Sequence, residues 1–290
     1  MTKIEIKNIY TSILRPESTK REFSIAHLRP EDVFNNVHLP YREDGYNISV
    51  LLKGRLAEII DFEKHEITGP AIISMGPGQI RQYIEIEEPE IFSISFTRDF
   101  LMAEIQGWIA CWECSFGHLV MEISNDDLLE LQPYVALMMR EFSLNKARKE
   151  VILRNILQAF IISVARLKSK HIPVMQIDNQ QSKLVYQFKL HVDEHFRTRT
   201  QVSQYAELQF ITPGHLNDVI KAIVGKTAKQ VINDKRITEA KRLLFFGDHS
   251  IKEISGLLNF DDDAYFNRFF KKHTGHTPSE FQRMIREKYN

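Results

Sequence analysis

Cysteine is nearly absent from this chain. Cys111 and Cys114 are the only two among 290 residues, too few for a disulfide framework, so a reducing cytoplasm is the expected compartment. Their C-x-x-C spacing, with His118 nearby, lacks the second ligand pair or the thioredoxin-like context that metal or redox chemistry would need. It reads as two ordinary cysteines on or near a helix. Long apolar runs are missing too. No stretch of about eighteen apolar residues occurs, so no membrane helix is expected. The opening "MTKIEIKNIYTSIL" has no basic n-region, apolar h-region or small-residue cleavage site, so no signal peptide is expected either. Net charge is also lacking, with 38 Lys+Arg against 38 Asp+Glu. No acid–base dyad or nucleophile constellation stands out, and an enzyme is not expected.

The charge balance hides an asymmetry. Residues 181–290 carry 18 basic and 13 acidic side chains, and the remainder carries 20 and 25. A basic half joined to an acidic half is the pattern of a nucleic-acid-binding module attached to something else.

Organisation along the chain follows the same division. Residues 1 to about 105 hold short apolar runs such as "YNISVLLKG", "AIISM" and "EIFSISF". Gly54, Gly69-Pro70, Gly76-Pro77-Gly78 and Glu88-Pro89 punctuate them, which predicts an all-β barrel or sandwich. From about Asp126 the apolar spacing becomes three and four, predicting two amphipathic helices over about 126–169. In the second, Ile152, Ile156, Phe160, Val164 and Leu167 form a stripe too wide for a lone surface helix. Packing on its own barrel or pairing with a second copy would each account for it. Pro173 and a polar run place a linker at about 171–181.

The last stretch, 182–290, reads as all-helical and repeats itself. At an offset of 50 residues Leu216 meets Phe266, Asn217 meets Asn267, Lys221 meets Lys271 and Gly225 meets Gly275. Each copy is a short helix, a tight turn and a longer helix, over about 200–224 and 250–274. "DKRITEAKRLLFFG" reads as a helix between them, closed by Gly247. Thr212 with Pro213, Ser250 with Glu253, and Thr277 with Pro278 and Glu280 are helix-start signals. Solenoids of helical pairs need three or more units, so two units read as paired helix-turn-helix motifs.

Within the second copy, "DAYFNRFFKKHTG" interleaves aromatic and basic residues. Phe266, Phe269 and Phe270 have core-facing spacing, leaving Ala264, Asn267 and Arg268, then Lys271 and Lys272, on the other side. A recognition helix lies in the major groove with its early residues at base edges. A guanidinium pairs bidentately with guanine, and an ammonium neutralises phosphate. Asp263, Ala264, Asn267, Arg268, Lys271 and Lys272 are therefore the candidate DNA-binding residues of this copy. His215, Asn217 and Lys221 are those of the first. Gly214 has no side chain to offer a base, and Asp218 stands where Arg268 stands in the second copy.

"SIKEISGLLNFDDDAYFNRFFKKHTGHTPSEF", preceded by "RITEAKRLL", resembles the AraC/XylS family of bacterial transcription regulators over about residues 185–285. "GPAIISMGPGQIRQY" resembles the second hairpin of the cupin-like domain that many members carry. The resemblance implies an α+β chain: a jelly-roll-like barrel, dimerisation helices, a linker, then the DNA-binding domain. It implies a regulator of double-stranded promoter DNA, responsive to a small-molecule effector, acting as a homodimer and, if an activator, touching RNA polymerase. "HLPYREDG" offers only His38 where metal-binding cupins place a histidine pair and a glutamate, and Arg81 stands near their further histidine. No metal or other cofactor is expected. His38, Tyr41, Arg42, Tyr46, Arg81 and Tyr83 are candidates for the mouth of an effector pocket. Two alternatives stay open: a cupin-type enzyme with a helical appendage, and a protein-binding adaptor using the helical pairs without DNA.

Overall fold

The computed structural model describes residues 22–30, 40–102, 118–144, 146–171, 180–247 and 249–289. The chain divides into two compact units, Met1–Val174 and Met175–Asn290. His38, Cys111, Cys114 and most of the expected linker lie outside the described residues.

Among the described residues the first unit has seven strands: β1 (Phe23–Leu28), β2 (Tyr41–Arg42), β3 (Tyr46–Ile60), β4 (Glu63–Thr68), β5 (Ala71–Met75), β6 (Ile80–Phe96) and β7 (His118–Glu122). They form one sheet in the order β1-β6-β3-β5-β7, with β2 also on β6 and β4 on β3. Every pairing is antiparallel. β7 lies beyond the stretch read as strands. It is only five residues long, and its place depends on pairing with β5, from Ala71↔Glu122 to Met75↔His118.

β3 and β6 are long, and their register shifts between Leu51 and Lys53, Lys53 and Arg55, and Ala57 and Glu58. Such bulges bend a strand and increase its twist. At Gly54 φ is +91°, and an added Cβ would lie 2.4 Å from the Glu88 carbonyl oxygen, so only glycine fits. The bent sheet supports two apolar clusters. Ile48, Val50, Ile72, Ile94 and Phe96 join the helix-bearing cluster, whereas Leu51, Leu56, Ile60, Ile73, Tyr83 and Ile91 form a second.

A short helix, α1 (Arg98–Met102), precedes β7, and two longer ones follow it: α2 (Asn125–Ser143) and α3 (Lys149–His171). Ser124 and Asp127 form a capping box at the start of α2. Leu153, Leu157, Phe160, Val164 and Leu167 of α3 are buried among Phe23, Ile48, Val50 and Ile94. The wide stripe is thus largely consumed inside its own unit. Ile152 is its exposed member, and Leu129 and Leu137 on α2 are exposed as well.

Among the described residues the regular elements of the second unit are all helices: α4 (Gln180–His195), α5 (Val202–Leu208), α6 (Pro213–Val224), α7 (Ala228–Phe246), α8 (Ile251–Leu257), α9 (Asp263–Thr274) and α10 (Pro278–Tyr289). One cluster joins them, from Val185 and Phe188 through Leu216, Ile220, Ile232 and Leu244 to Phe266 and Phe270. The architecture is α+β, a sheet-and-helix unit followed by a helical unit, and the bent antiparallel sheet is compatible with a cupin-like domain.

Candidate nucleic-acid interface

Local sequence positions both long helices of the paired motifs. Thr212 caps α6 by accepting from His215 N at 3.2 Å, with Pro213 at the first helical position. Asp262 caps α9 through Tyr265 N. Both helices stop at a left-handed glycine, Gly225 at φ 75° and Gly275 at φ 82°. The two motifs differ in their turns. α8 follows α5 at an offset of 49 residues and α9 follows α6 at 50, so the second turn is one residue longer. Phe210 (φ 54°) and Asn259 (φ 54°) hold corresponding left-handed positions. Asparagine suits that conformation, but Phe210 does not, and it is 96% exposed.

The apolar edges of both helices are spent on the core. Leu216, Val219 and Ile220 of α6 are buried, as are Phe266, Phe269 and Phe270 of α9. Phe260 lies 5.1 Å from both Phe266 and Phe269. Burying aromatics of this kind is worth about 1.5–3 kcal/mol each, so the rotation of each helix is set before any partner arrives. With the core edge fixed, Ala264, Arg268, Lys271 and Lys272 are exposed on α9, and Gly214, Asp218, Lys221 and Ala222 are exposed on α6. One outward face carries three cations and the other a single balanced pair.

Two of the remaining candidates have structural engagements. Asn217 is half-buried, and its Oδ1 accepts from Ala228 N at 3.2 Å, at the start of α7. Asn267 is also half-buried and donates from Nδ2 to the Asp263 carbonyl at 2.7 Å. His215 is exposed, and Asp263 is half-buried in the first turn of α9.

Between the motifs, α7 acts as the common spacer and is buried on most of its circumference. Arg236 is 4% exposed. It donates to the Leu258 carbonyl at 2.9 Å and lies 3.9 Å from the Phe260 ring centroid. Burial holds its pKa below the ordinary arginine value. Glu239, also buried, accepts from Arg197 at 2.8 Å and pairs with Arg242. Sequence periodicity pointed to none of these contacts, because α7 has no single apolar face.

In the first unit the effector candidates separate. Tyr41 and Tyr83 belong to the second cluster, with Tyr41 opposite Arg81 across β2 and β6. They are interior residues and do not rim a mouth: Arg81 is 1% exposed. Tyr46 belongs to the helix-bearing cluster, stacked 5.7 Å from Phe96, and Arg42 is exposed. The bent sheet distributes these residues over different surfaces, which linear spacing does not reveal. Glu58 was missed. Its carboxylate is fully buried and accepts from Arg81 Nε at 2.6 Å, and the Arg81 guanidinium lies 4.5 Å from the Tyr83 centroid. The signal was in "LAEII", a charge on the alternation of Leu56 and Ile60. Facing Glu58 and two tyrosines, Arg81 has a pKa held well above its ordinary value even though burial opposes it.

Comparison with known proteins bears on the second unit. Residues 205–284 match a family model described as a helix-turn-helix domain. Over 89 residues the chain is 34% identical to the arabinose operon regulatory protein of Escherichia coli (strain K12), covering 31% of this chain and 30% of that one. Over 132 residues it is 26% identical to the MmsAB operon regulatory protein of Pseudomonas aeruginosa, covering 45% and 43%. The matches thus span less than half the length of these relatives. A solved structure of ToxT from Vibrio cholerae O395 is 17% identical, covering 92% of this chain and 99% of that one at a TM-score of 0.44. Two capped helical pairs on a shared spacer, matched in sequence to operon regulators, make residues 205–284 a helix-turn-helix domain similar to those of AraC/XylS regulators.

Proposed function

We propose that the chain is a sequence-specific transcription regulator that places α6 and α9 in successive major-groove segments of duplex DNA. The observation that carries this reading is the pair of core-anchored helices with exposed outer faces, linked by α7. At 1.5 Å per residue its 19 residues span roughly 28 Å. Arg268 reads a base, Lys271 and Lys272 neutralise phosphates, and His215 and Lys221 serve the first segment. Asn217 and Asn267 work mainly by holding the motifs in shape. Selecting bound sequences from a random duplex pool tests this. A recovered site with two conserved segments is expected, and recovery of no preferred sequence would return the reading to a protein-binding adaptor.

The role of the first unit is to sense and to pair. Support for an effector site is the buried Arg81–Glu58 pair, whose Arg81 Nη2 and Glu58 Oε1 have no hydrogen-bond partner. Polar atoms removed from water normally find partners, and a ligand with both donor and acceptor would supply them. Support for a homodimer is the outer face of α2, where Leu129 and Leu137 are 62% and 49% exposed. Leu129→Glu combined with Leu137→Glu should yield folded monomers by sedimentation. A double variant that still sediments as a dimer would move the interface elsewhere. If the regulator activates, RNA polymerase is a further partner.

A further inference from the structure

A second group of polar side chains lies away from the DNA-facing helices, on the last turn of α4. His191, Glu194 and His195 each offer a ligand atom, and these atoms all lie within 4.8 Å of one another. Their spacing is i, i+3 and i+4, which puts all three on one face of a helix. We propose that they form a site for one divalent transition-metal ion, two imidazole nitrogens and a carboxylate oxygen providing three ligands and water completing the shell.

The chemistry of the set favours zinc and its neighbours. Imidazole with carboxylate suits Zn²⁺, Ni²⁺ and Cu²⁺, whereas Mg²⁺ and Ca²⁺ prefer all-oxygen shells. Three protein ligands plus an open position make a complete tetrahedral site. At metal–ligand distances of about 2.1 Å, tetrahedral ligand atoms stand about 3.4 Å apart. Closure therefore asks the side chains to draw in by at most about 1.4 Å, within the reach of their rotamers.

An independent observation marks the place. His191 Nδ1 is buried and has no hydrogen-bond partner. A ring nitrogen held from water with no protein partner is a situation that a bound cation resolves. Neighbouring charges are already engaged elsewhere: Asp193 with Lys235, and Arg197 with Glu239. The Glu194 carboxylate lies 3.7 Å from His195 Nε2.

Position gives the site a consequence. A cation at the end of a helix complements its C-terminal dipole. The chain runs directly from His195 to the buried Phe196 and on to Arg199, whose carbonyl accepts from the Tyr205 hydroxyl of α5 at 2.8 Å. Metal occupancy would fasten the entry to the first helix-turn-helix.

The test uses the full chain freed of metal. Zinc binding is measured by competition with a chromophoric chelator, and the ligand set is read from the cobalt(II) spectrum. One equivalent is expected to depend on this turn. His191→Gln/His195→Gln should lower zinc affinity about tenfold or more, 1.4 kcal/mol per tenfold. Zinc should raise the thermal midpoint of the wild type but not of this variant. Glu194→Gln changes an exposed side chain, keeps the fold, and should weaken binding while leaving cobalt on nitrogen ligands. Unchanged zinc affinity and stoichiometry in both variants would overturn the proposal. A cobalt spectrum dominated by thiolate charge transfer would do the same by assigning the ion to Cys111 and Cys114.

Discussion

Arg268 projects from α9 one position before the buried Phe269, so packing of the aromatic edge fixes its direction. A bidentate pair with guanine is worth about 1–3 kcal/mol of discrimination. Arg268→Ala is therefore expected to lower specific affinity roughly ten- to a hundredfold and relax one base position. Lys271→Ala should weaken all sequences alike and reduce the salt slope by about one unit. Both side chains are exposed, so neither change should shift the thermal midpoint. Equal losses on selected and random duplexes for Arg268→Ala would make it a phosphate contact instead. Glu58 poses the opposite case. Removing one member of a buried pair leaves the other charge uncompensated, at a cost of about 3–5 kcal/mol. Glu58→Gln should destabilise the first unit on that scale in denaturant titrations, and Glu58→Leu with Arg81→Met should recover most of the loss. Failure of the double variant to recover would mean that the pair organises more than itself.

Helices of the second unit depend on reciprocal caps. Glu253 accepts from Ser250 N at 2.7 Å, and Glu280 from Thr277 N at 2.7 Å. These backbone hydrogen bonds are the main cause that lowers both carboxyl pKa values below the ordinary 4.5. A group whose folded pKa is lowered binds fewer protons folded than unfolded. Its contribution is complete above the unfolded value and is lost as pH falls through the folded one. The thermal midpoint of the helices should accordingly drop as pH passes below about 4.5. Glu253→Ala should lower that midpoint at neutral pH and flatten its acid slope. An acid slope unchanged in the variant would assign the loss to other carboxylates. The turns between paired helices illustrate a finer point at the same scale. The repeat is legible at the recognition helices, where Leu216 answers Phe266, but the one-residue difference in the turns appears only where Phe210 and Asn259 take the same conformation.

For the whole molecule, one chain should protect two segments about 10–10.5 bp apart, one helical turn. Footprinting checks it, and protection confined to about 5 bp per chain would exclude simultaneous docking of α6 and α9. Affinity should fall steeply with salt as phosphate counterions are displaced, mostly through the α9 face with its three cations. Much of this plan was legible in advance. Caps, glycine stops and the aromatic spacing of α9 are local properties of the backbone and of helical periodicity, and they announced the paired motifs. The passage from a strand-rich part to helices followed from the change in apolar period near Asp126, for the same reason. The Arg81–Glu58 pair was not legible as a pair, since its members are 23 residues apart in sequence and meet only when β3 pairs with β6. The α3 stripe was visible, but its occupant was not, because Phe160 and Val164 present the same spacing to a second copy as to their own sheet. His191, Glu194 and His195 stood in plain view as "HVDEH", yet only the packing that buries His191 Nδ1 separates a candidate ligand set from a polar helix face. Periodicity and capping act over one or two turns and can be read along the chain. Which buried polar atom finds a partner depends on contacts between distant segments, and those exist only once the chain has folded.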